Sequence, residues 1–223
     1  MSRLLPCLAL LATAAGPIPA PLRVKASPAV APCVAAAAAP YERTTGRKLD
    51  VETTALFDAA STAGADVVVA ADQELNRIIE GGATHPDLDV DVARIPWVLA
   101  GASATGETSP QSLGQTTRVR IMGGIVGRDA SRSLARQGLA PARVARLREP
   151  IAPLRLEAGE AAVVPLSLAG SFPVRSLDIP PLTARALGVR ASVRTDAIRA
   201  FLDFLVSEKG NAAFRACGRT DGR

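Results

Sequence analysis

The sequence predicts an α/β fold. Three observations carry that expectation. Strand-like alternation at Leu22–Ala26 and again at Lys48–Thr54 brackets an alanine-rich helical stretch; a short apolar run, Asp66–Ala70, precedes an amphipathic segment; and Val119–Met122 runs through a glycine turn into a further helix. Strands that alternate with helices build sheets covered by helices on their faces. The chain has 223 residues, 48% apolar and 21% charged, enough for one large domain or two small ones around an ordinary core.

In chain order, Arg3 precedes a mostly apolar run, Leu4 to Ala15, closed by Gly16, Pro17 and Pro19 ahead of the small residue Ala20. This is the pattern of a secretory signal peptide over residues 1–20, because the run contains Pro6 and falls short of the about 20 apolar residues that span a bilayer. After the first strand, Ser27-Pro28 predicts a helix start, serine being a favoured cap and proline a favoured first residue. Ala29 to Thr45 forms the helix and Gly46 ends it, with Pro40 expected to kink or stop it. Asp66–Ala70 suits a strand buried on both faces. Asp72 should cap the helix that follows, which carries Leu75, Ile78 and Ile79 on one face and stops at Gly81-Gly82.

Arg94 to Ala100 reads as a strand, followed by a Gly/Ser/Thr-rich stretch at 101–117 that suits a domain boundary. Val119–Met122 then meets Gly123-Gly124-Ile125-Val126-Gly127, with a helix expected from about Asp129 to Gln137. A strand, a glycine turn and a helix start together make an anion cradle, because unpaired N–H groups point outward there. Glu160 to Leu168 and Ala186 to Val193 complete the strands, and Asp196 to Phe214 is an amphipathic helix with Ile198, Phe201, Leu202 and Leu205 inward.

Composition narrows function. A single histidine, His85, cannot serve schemes that need two imidazoles, and it reads as a loop residue beside Pro86. Cys7, Cys33 and Cys217 contain no C-x-x-C pair, and neither a Walker loop nor a G-x-S-x-G elbow is present. Asp87 to Asp91 lacks the glycine and distant glutamate of a calcium loop and reads as a surface strand or turn. With aromatics at 3% and no groove-reading motif, nucleic acid is not an expected partner. An enzyme is a competing class, since the same glycine turn could hold a phosphoester; against it, no histidine, cysteine or carboxylate pair sits at a predicted strand or helix end to act as acid or base. Residues 1–111 carry net charge −4 and residues 112–223 net +9, a field that would draw small anions. If Cys7 leaves with the leader, Cys33 and Cys217 remain as either a disulfide, worth about 4 to 5 kcal/mol by loop entropy, or two buried thiols.

The order of these motifs resembles bacterial periplasmic solute-binding proteins of the molybdate-binding type. The likeness is carried by Val24-Lys25-Ala26-Ser27, by Gly64 through Asp72, by Gly127-Arg128-Asp129-Ala130 through Gly138-Leu139, and by Ala200 through Leu205 onward to Gly218. It implies the type II periplasmic binding fold, two α/β lobes with a ligand cleft between them: lobe I from residues 21–100 plus 183–223, lobe II from 101–182. It also implies a periplasmic monomer that holds a small oxyanion, molybdate or tungstate, without cofactor or metal, and hands it to the permease of an ABC transporter. Carried over by residue, the ligand contacts would be the Ser27 hydroxyl and amide, Thr53 or Thr54, the amides of Val126 and Gly127, and that of Ile151. The family's last-strand tyrosine is replaced here by Pro165, which has neither hydroxyl nor N–H. One lost donor weakens binding by about 0.5 to 1.5 kcal/mol, which keeps two other readings in play: a binding protein for a small organic ligand, and a degenerate sensor or interaction protein.

Overall fold

In the computed structural model, which describes residues 20–101, 118–138, 144–147 and 153–217, the strands form two five-stranded sheets built to one plan. The first contains β1 (Leu22–Ala26), β2 (Leu49–Thr53), β3 (Val67–Ala71), β4 (Thr84–Ile95) and β10 (Leu182–Val189), ordered β2-β1-β3-β10-β4. The second contains β5 (Trp97–Ala100), β6 (Arg118–Ile121), β7 (Val144–Arg146), β8 (Glu160–Pro165) and β9 (Val174–Ser176), ordered β7-β6-β8-β5-β9. Each sheet sets three parallel strands beside two that complete it antiparallel. The strand in fourth place is in both cases the one arriving from the other sheet: β5 by way of Pro96, and β10 by way of residues 177–181. The expected α/β class and two-lobed architecture are therefore present. The expected leader, except Ala20, and Ile151 lie outside the described residues.

Helices cover the sheets: α1 (Ala31–Thr45), α2 (Asp72–Glu80), α3 (Gly124–Arg136), α4 (Thr195–Val206) and α5 (Glu208–Ala216). Strand β3 shows why its sequence is continuously apolar. Val67, Val69 and Ala71 join the cluster that also holds Val34, Tyr41 and Phe201, while Val68 and Ala70 face a second cluster with Leu75 and Ile78 of α2. A strand covered on both faces has no solvent side on which to place a polar residue.

Several elements depart from expectation. α1 begins at Ala31 and not at Ser27-Pro28, because the Ser27 carbonyl accepts from both Val30 and Ala31 N–H in a tight turn ahead of the helix. It then runs through Pro40 without stopping. Ala36, whose carbonyl loses its helical donor, is exposed to water, while Ala37 and Tyr41 on the other face are buried, Tyr41 meeting Phe201 and Phe204 edge-on at 5.1 and 5.3 Å. Burial raises the Tyr41 phenol above its ordinary pKa. Asp72 is the first residue of α2 and not its cap; the Glu74 carboxylate takes the Ala71 N–H at 3.0 Å instead. Ile79 is partly exposed, leaving Leu75 and Ile78 as the buried stripe.

The expected strand Arg94–Ala100 is two strands, since Pro96 breaks the ladder and Trp97 enters the second sheet. His85 and Asp87–Asp91 lie in β4, whose edge position accommodates Pro86. Strand β10 begins earlier than expected, at Leu182. The last predicted helix divides at Ser207, whose hydroxyl donates to Phe204 O at 2.6 Å and accepts from Gly210 N–H at 3.2 Å. A Cβ on Gly210 would stand 1.9 Å from Phe204 O, so the corner requires glycine.

Asp66, buried just before β3, gathers the first lobe's base. It accepts from Arg23 N–H, the Ser192 hydroxyl and Arg194 Nη1, each at 2.8 Å, and Arg194 continues to Pro21 O at 2.6 Å. Cys33 and Cys217 form a disulfide, Cα atoms 4.9 Å apart, that ties α1 to the end of α5 across 184 residues. Of the two open alternatives, the bonded one is found. Reduction, or replacement of both cysteines by serine, should cost about 5 kcal/mol on the loop-entropy account; urea denaturation with and without reductant measures it, and coincident midpoints would contradict it.

Candidate functional site

Parallel strands deliver their C-terminal ends to one edge of each sheet, and ligands of open α/β sheets bind at that edge. In the first sheet the edge is made by Ser27 after β1, Thr54 after β2 and the start of α2 after β3. In the second it is made by Met122-Gly123 leading into α3 after β6, and by the 3-10 turn Leu166–Leu168 after β8. The two edges meet: the Ser167 hydroxyl donates to Ala29 O at 2.5 Å, and α2 lies against α3.

Each site residue proposed from sequence has a definite place. Ser27 is fully buried. Its N–H donates to Val69 O at 2.9 Å, which takes that amide out of any ligand contact and leaves the hydroxyl. The Ser27 Oγ is buried with no hydrogen-bond partner, although buried polar atoms are almost always paired. Thr53 is exposed at the end of β2. Thr54 extends the ladder, its N–H donating to Ala26 O at 2.9 Å, and its hydroxyl donates to Leu56 O at 3.1 Å. That hydroxyl lies one strand away from Ser27 and is already engaged.

The glycine turn differs from the expected one. The helix starts at Gly124, five residues ahead of Asp129, so the glycines form its first turn. Gly124 has φ of +73°, a conformation open to glycine at little cost. Gly127 N–H is directed to Gly123 O at 3.3 Å within the helix, and a Cβ there would fall 1.6 Å from Met122 O. Gly127 is therefore a close-packing residue. The amides left without helical partners are those of Gly124, Ile125 and Val126.

Helix starts carry a partial positive charge, but one already neutralised by its own carboxylates is a poor anion site. Here the helices divide sharply. α2 carries Asp72 and Glu74 in its first turn, α4 carries Asp196 and α5 carries Glu208, whereas α1 and α3 carry none. Asp72 is further tied to Arg185 Nη1 at 2.5 Å, and Arg185 also pairs with Asp89, contacts that hold its guanidinium above the ordinary pKa. Among the described residues, the two acid-free starts are those at Ser27–Ala31 and Gly123–Val126. At the first, Pro28 and Pro32 lack N–H and Val30 and Ala31 are paired, so among the described residues Ala29 N–H has no recorded acceptor.

A cavity of about 370 Å³ opens beside α3, lined by Gln73 of α2, Trp97, Val126, Arg132, Arg136 and the second crossing at Ile179–Leu182. Val126 belongs to it; Ser27 and Gly127 do not. Arg132 pairs with Asp129 at 3.0 Å, and Arg136 reaches Ser133 Oγ at 3.1 Å. Among the described residues no buried arginine or lysine is found, and no group of three or more His, Cys, Asp or Glu side chains gathers to hold a metal. Sequence reasoning missed Ser167. It lies two residues after Pro165, buried in an apolar stretch where no local pattern marks a serine as functional.

Two α/β sheets of one plan, joined by two crossings and meeting at the edge where their parallel strands end, define a two-lobed architecture. The chain belongs to the bacterial extracellular solute-binding protein family, whose model matches residues 22–220. No match is found among curated proteins. In fold it is molybdate-binding-protein-like. The periplasmic molybdate-binding protein of Azotobacter vinelandii is 15% identical with a TM-score of 0.73, over 88% of this chain and 97% of that one. The sulfate-binding protein SubI of Mycobacterium tuberculosis is 14% identical with a TM-score of 0.67, over 90% and 86%. PEB3 bound to L-phospholactate, from Campylobacter jejuni, is 12% identical with a TM-score of 0.65, over 88% and 98%. At such identities the likeness carries the fold and leaves the ligand to the site.

Because Gly127 serves packing, Gly127→Ala should lower stability by about 1 to 3 kcal/mol, the usual cost of forcing a methyl into a filled space. Thermal unfolding measures it; an unchanged melting temperature would show that the Met122–Gly127 approach has slack.

Proposed function

We propose that this chain is the binding protein of an ABC transporter for a small oxyanion, molybdate or tungstate first and sulfate behind, working in the periplasm after residues 1–20 are removed. The observation that carries the reading is that α1 and α3, at the edges where the sheets meet, are the helices whose first turns hold no acid, and that beside one of them stands a buried hydroxyl with nothing to bond. A dehydrated dianion needs donors already in place and no counter-charge beside it, which helix starts and hydroxyls provide. The donors in this reading are the Ser27 hydroxyl, the Ala29 amide and the amides of Gly124 to Val126, with Thr53 or Thr54 and Ile151 as the further contacts that the family resemblance implies. Gly127 supports the turn. The disulfide suits an oxidising compartment. The lobe bounds expected at residues 100/101 and 182/183 are read instead at the crossings, Pro96 and residues 177–181, because Trp97–Ala100 pairs in the second sheet and Leu182 in the first. In this reading the chain is not an enzyme, and the loaded protein passes its ligand to a membrane permease as a monomer.

A second reading has one observation in its favour. The cavity beside Val126 falls within the usual size range for small organic ligands, and it presents Arg132 and Arg136 at its wall. A small organic anion would use the same α3 amides and extend into that space, and the likeness to PEB3 bound to L-phospholactate fits this arrangement.

Titration calorimetry with molybdate, tungstate, sulfate, phosphate and phospholactate separates the two. The first reading expects heat from molybdate or tungstate; heat from phospholactate alone transfers the function to the second, and none from any of the five removes both.

Ser27→Ala adds a sharper test. Affinity should fall about 2- to 12-fold, the worth of one neutral hydrogen bond. Stability of the ligand-free protein should hold or rise, because an unpaired buried hydroxyl is being removed. A loss of stability near 1 kcal/mol with unchanged affinity would make Ser27 a helix cap instead.

A further inference from the structure

The 3-10 turn Leu166–Leu168 is bound to the second lobe and to the first crossing. It continues β8 directly, Leu166 N–H donates to Pro96 O at 2.9 Å, and Ala169 N–H closes the turn on Leu166 O at 3.1 Å. The turn Ser27–Ala31 is bound just as firmly to the first lobe. Ser27 N–H reaches Val69 O of β3, and Val30 and Ala31 N–H reach Ser27 O at 3.0 and 2.8 Å. Ser167 joins these two rigid turns. Its buried hydroxyl donates across 138 residues of sequence to Ala29 O, inside the very turn that carries the unpaired Ser27 hydroxyl and the Ala29 amide.

We propose that Ser167 is a positioning residue for ligand binding, a latch whose hydroxyl holds the Ser27–Ala31 turn against the second lobe and so sets ligand affinity through the closed arrangement of the lobes. This rests on the reading of that turn as part of the ligand site. A hydrogen bond that forms when the lobes meet and is lost when they part shifts the population toward the closed form, and affinity rises with the fraction that is competent to bind. The bond is shielded from water, so solvent does not compete for it as it would at the surface. Pro165 fits this role. It offers nothing to a ligand, but its fixed φ sets the entry of the turn that presents Ser167 to Ala29.

Full-length Ser167→Ala and Ser167→Thr test the latch, with molybdate as the probe. The first readout needs no ligand: small-angle scattering of the ligand-free protein should show a larger radius of gyration for Ser167→Ala than for the wild type. In parallel, the fluorescence of Trp97, which lines the cavity between the lobes, should shift toward that of a more hydrated indole. The second readout is affinity, expected to fall about 2- to 12-fold in Ser167→Ala. Ser167→Thr, which keeps the hydroxyl, should return both toward the wild type, a rescue that a packing role would not give. Equal radii for wild type and Ser167→Ala, or a threonine variant as open as the alanine one, overturns the latch. If the wild type takes neither molybdate nor tungstate, the first reading of the ligand falls, and the scattering still decides whether Ser167 holds the two lobes together.

Discussion

The site depends on one geometric constraint: parallel strands all finish on the same edge of a sheet, so the helices that follow them all start there. Three parallel strands in each lobe therefore place their following turns along two edges that meet. Whether a given start can receive an anion is then decided by the few residues that open the helix. α2 has spent its positive end on Asp72 and Glu74, while α1 and α3 have not. The same logic explains where charge is kept. Asp66 and Glu160 are buried acids that sit at the other ends of β3 and β8, each paired with arginine, Asp66 with Arg194 at 2.8 Å and Glu160 with Arg120 at 2.7 Å. Each lobe thus holds a buried acid at its base, met by a partly exposed arginine, and has a helix start free of first-turn acids at its mouth.

This arrangement makes fit more important than attraction. The excess of basic residues in the second half of the chain raises the local concentration of any anion over distances of about a Debye length. It does not tell one anion from another. In the proposed reading that choice falls to fixed dipoles at set spacings, because a donor left without an acceptor in a dry cleft costs more than the bond itself returns. An anion of the wrong size leaves such donors behind.

Much of the fold was legible because its signals are local. The alternation at Leu22–Ala26 and the unbroken apolar run of β3 each reflect which faces are covered, and burial is what hydrophobic period reports. The elements that differ from expectation were settled by one distant contact and by two close backbone approaches, none of which hydrophobic period reports. Pro40 is tolerated because Tyr41 is locked against Phe201 and Phe204, 160 residues on, and no local rule contains that contact. The glycine turn is helical because Gly127 must pass under the Met122 carbonyl, and the split at Ser207 follows from the way Gly210 meets Phe204. In the site, Ser27 was legible as a hydroxyl at a strand end. That its amide is already given to Val69 was not, since strand pairing is a property of the sheet. Ser167 was hidden for the same reason: a serine in an apolar stretch looks like a turn residue until the Ala29 carbonyl is brought to it.

The fastenings also determine what can move. The disulfide joins α1 to the end of α5, the Asp66 network joins Arg23, Ser192 and Arg194, and Arg185 joins β10 to Asp72 and Asp89; all of these lie within the first lobe and make it one body. The second lobe is drawn together by β8 pairing with both β5 and β6. Motion between the lobes is then left to the crossings at Pro96 and Ile179–Pro181, where proline fixes φ and confines rotation to the remaining dihedrals. Two stiff lobes on such crossings have few ways to approach, so in the proposed reading the donors of α1 and α3 would return to the same spacing each time the lobes closed. A site made of backbone amides requires this, because an amide, unlike a side chain, cannot swing to find its ligand, and the precision of the pocket must come from the path by which its halves come together.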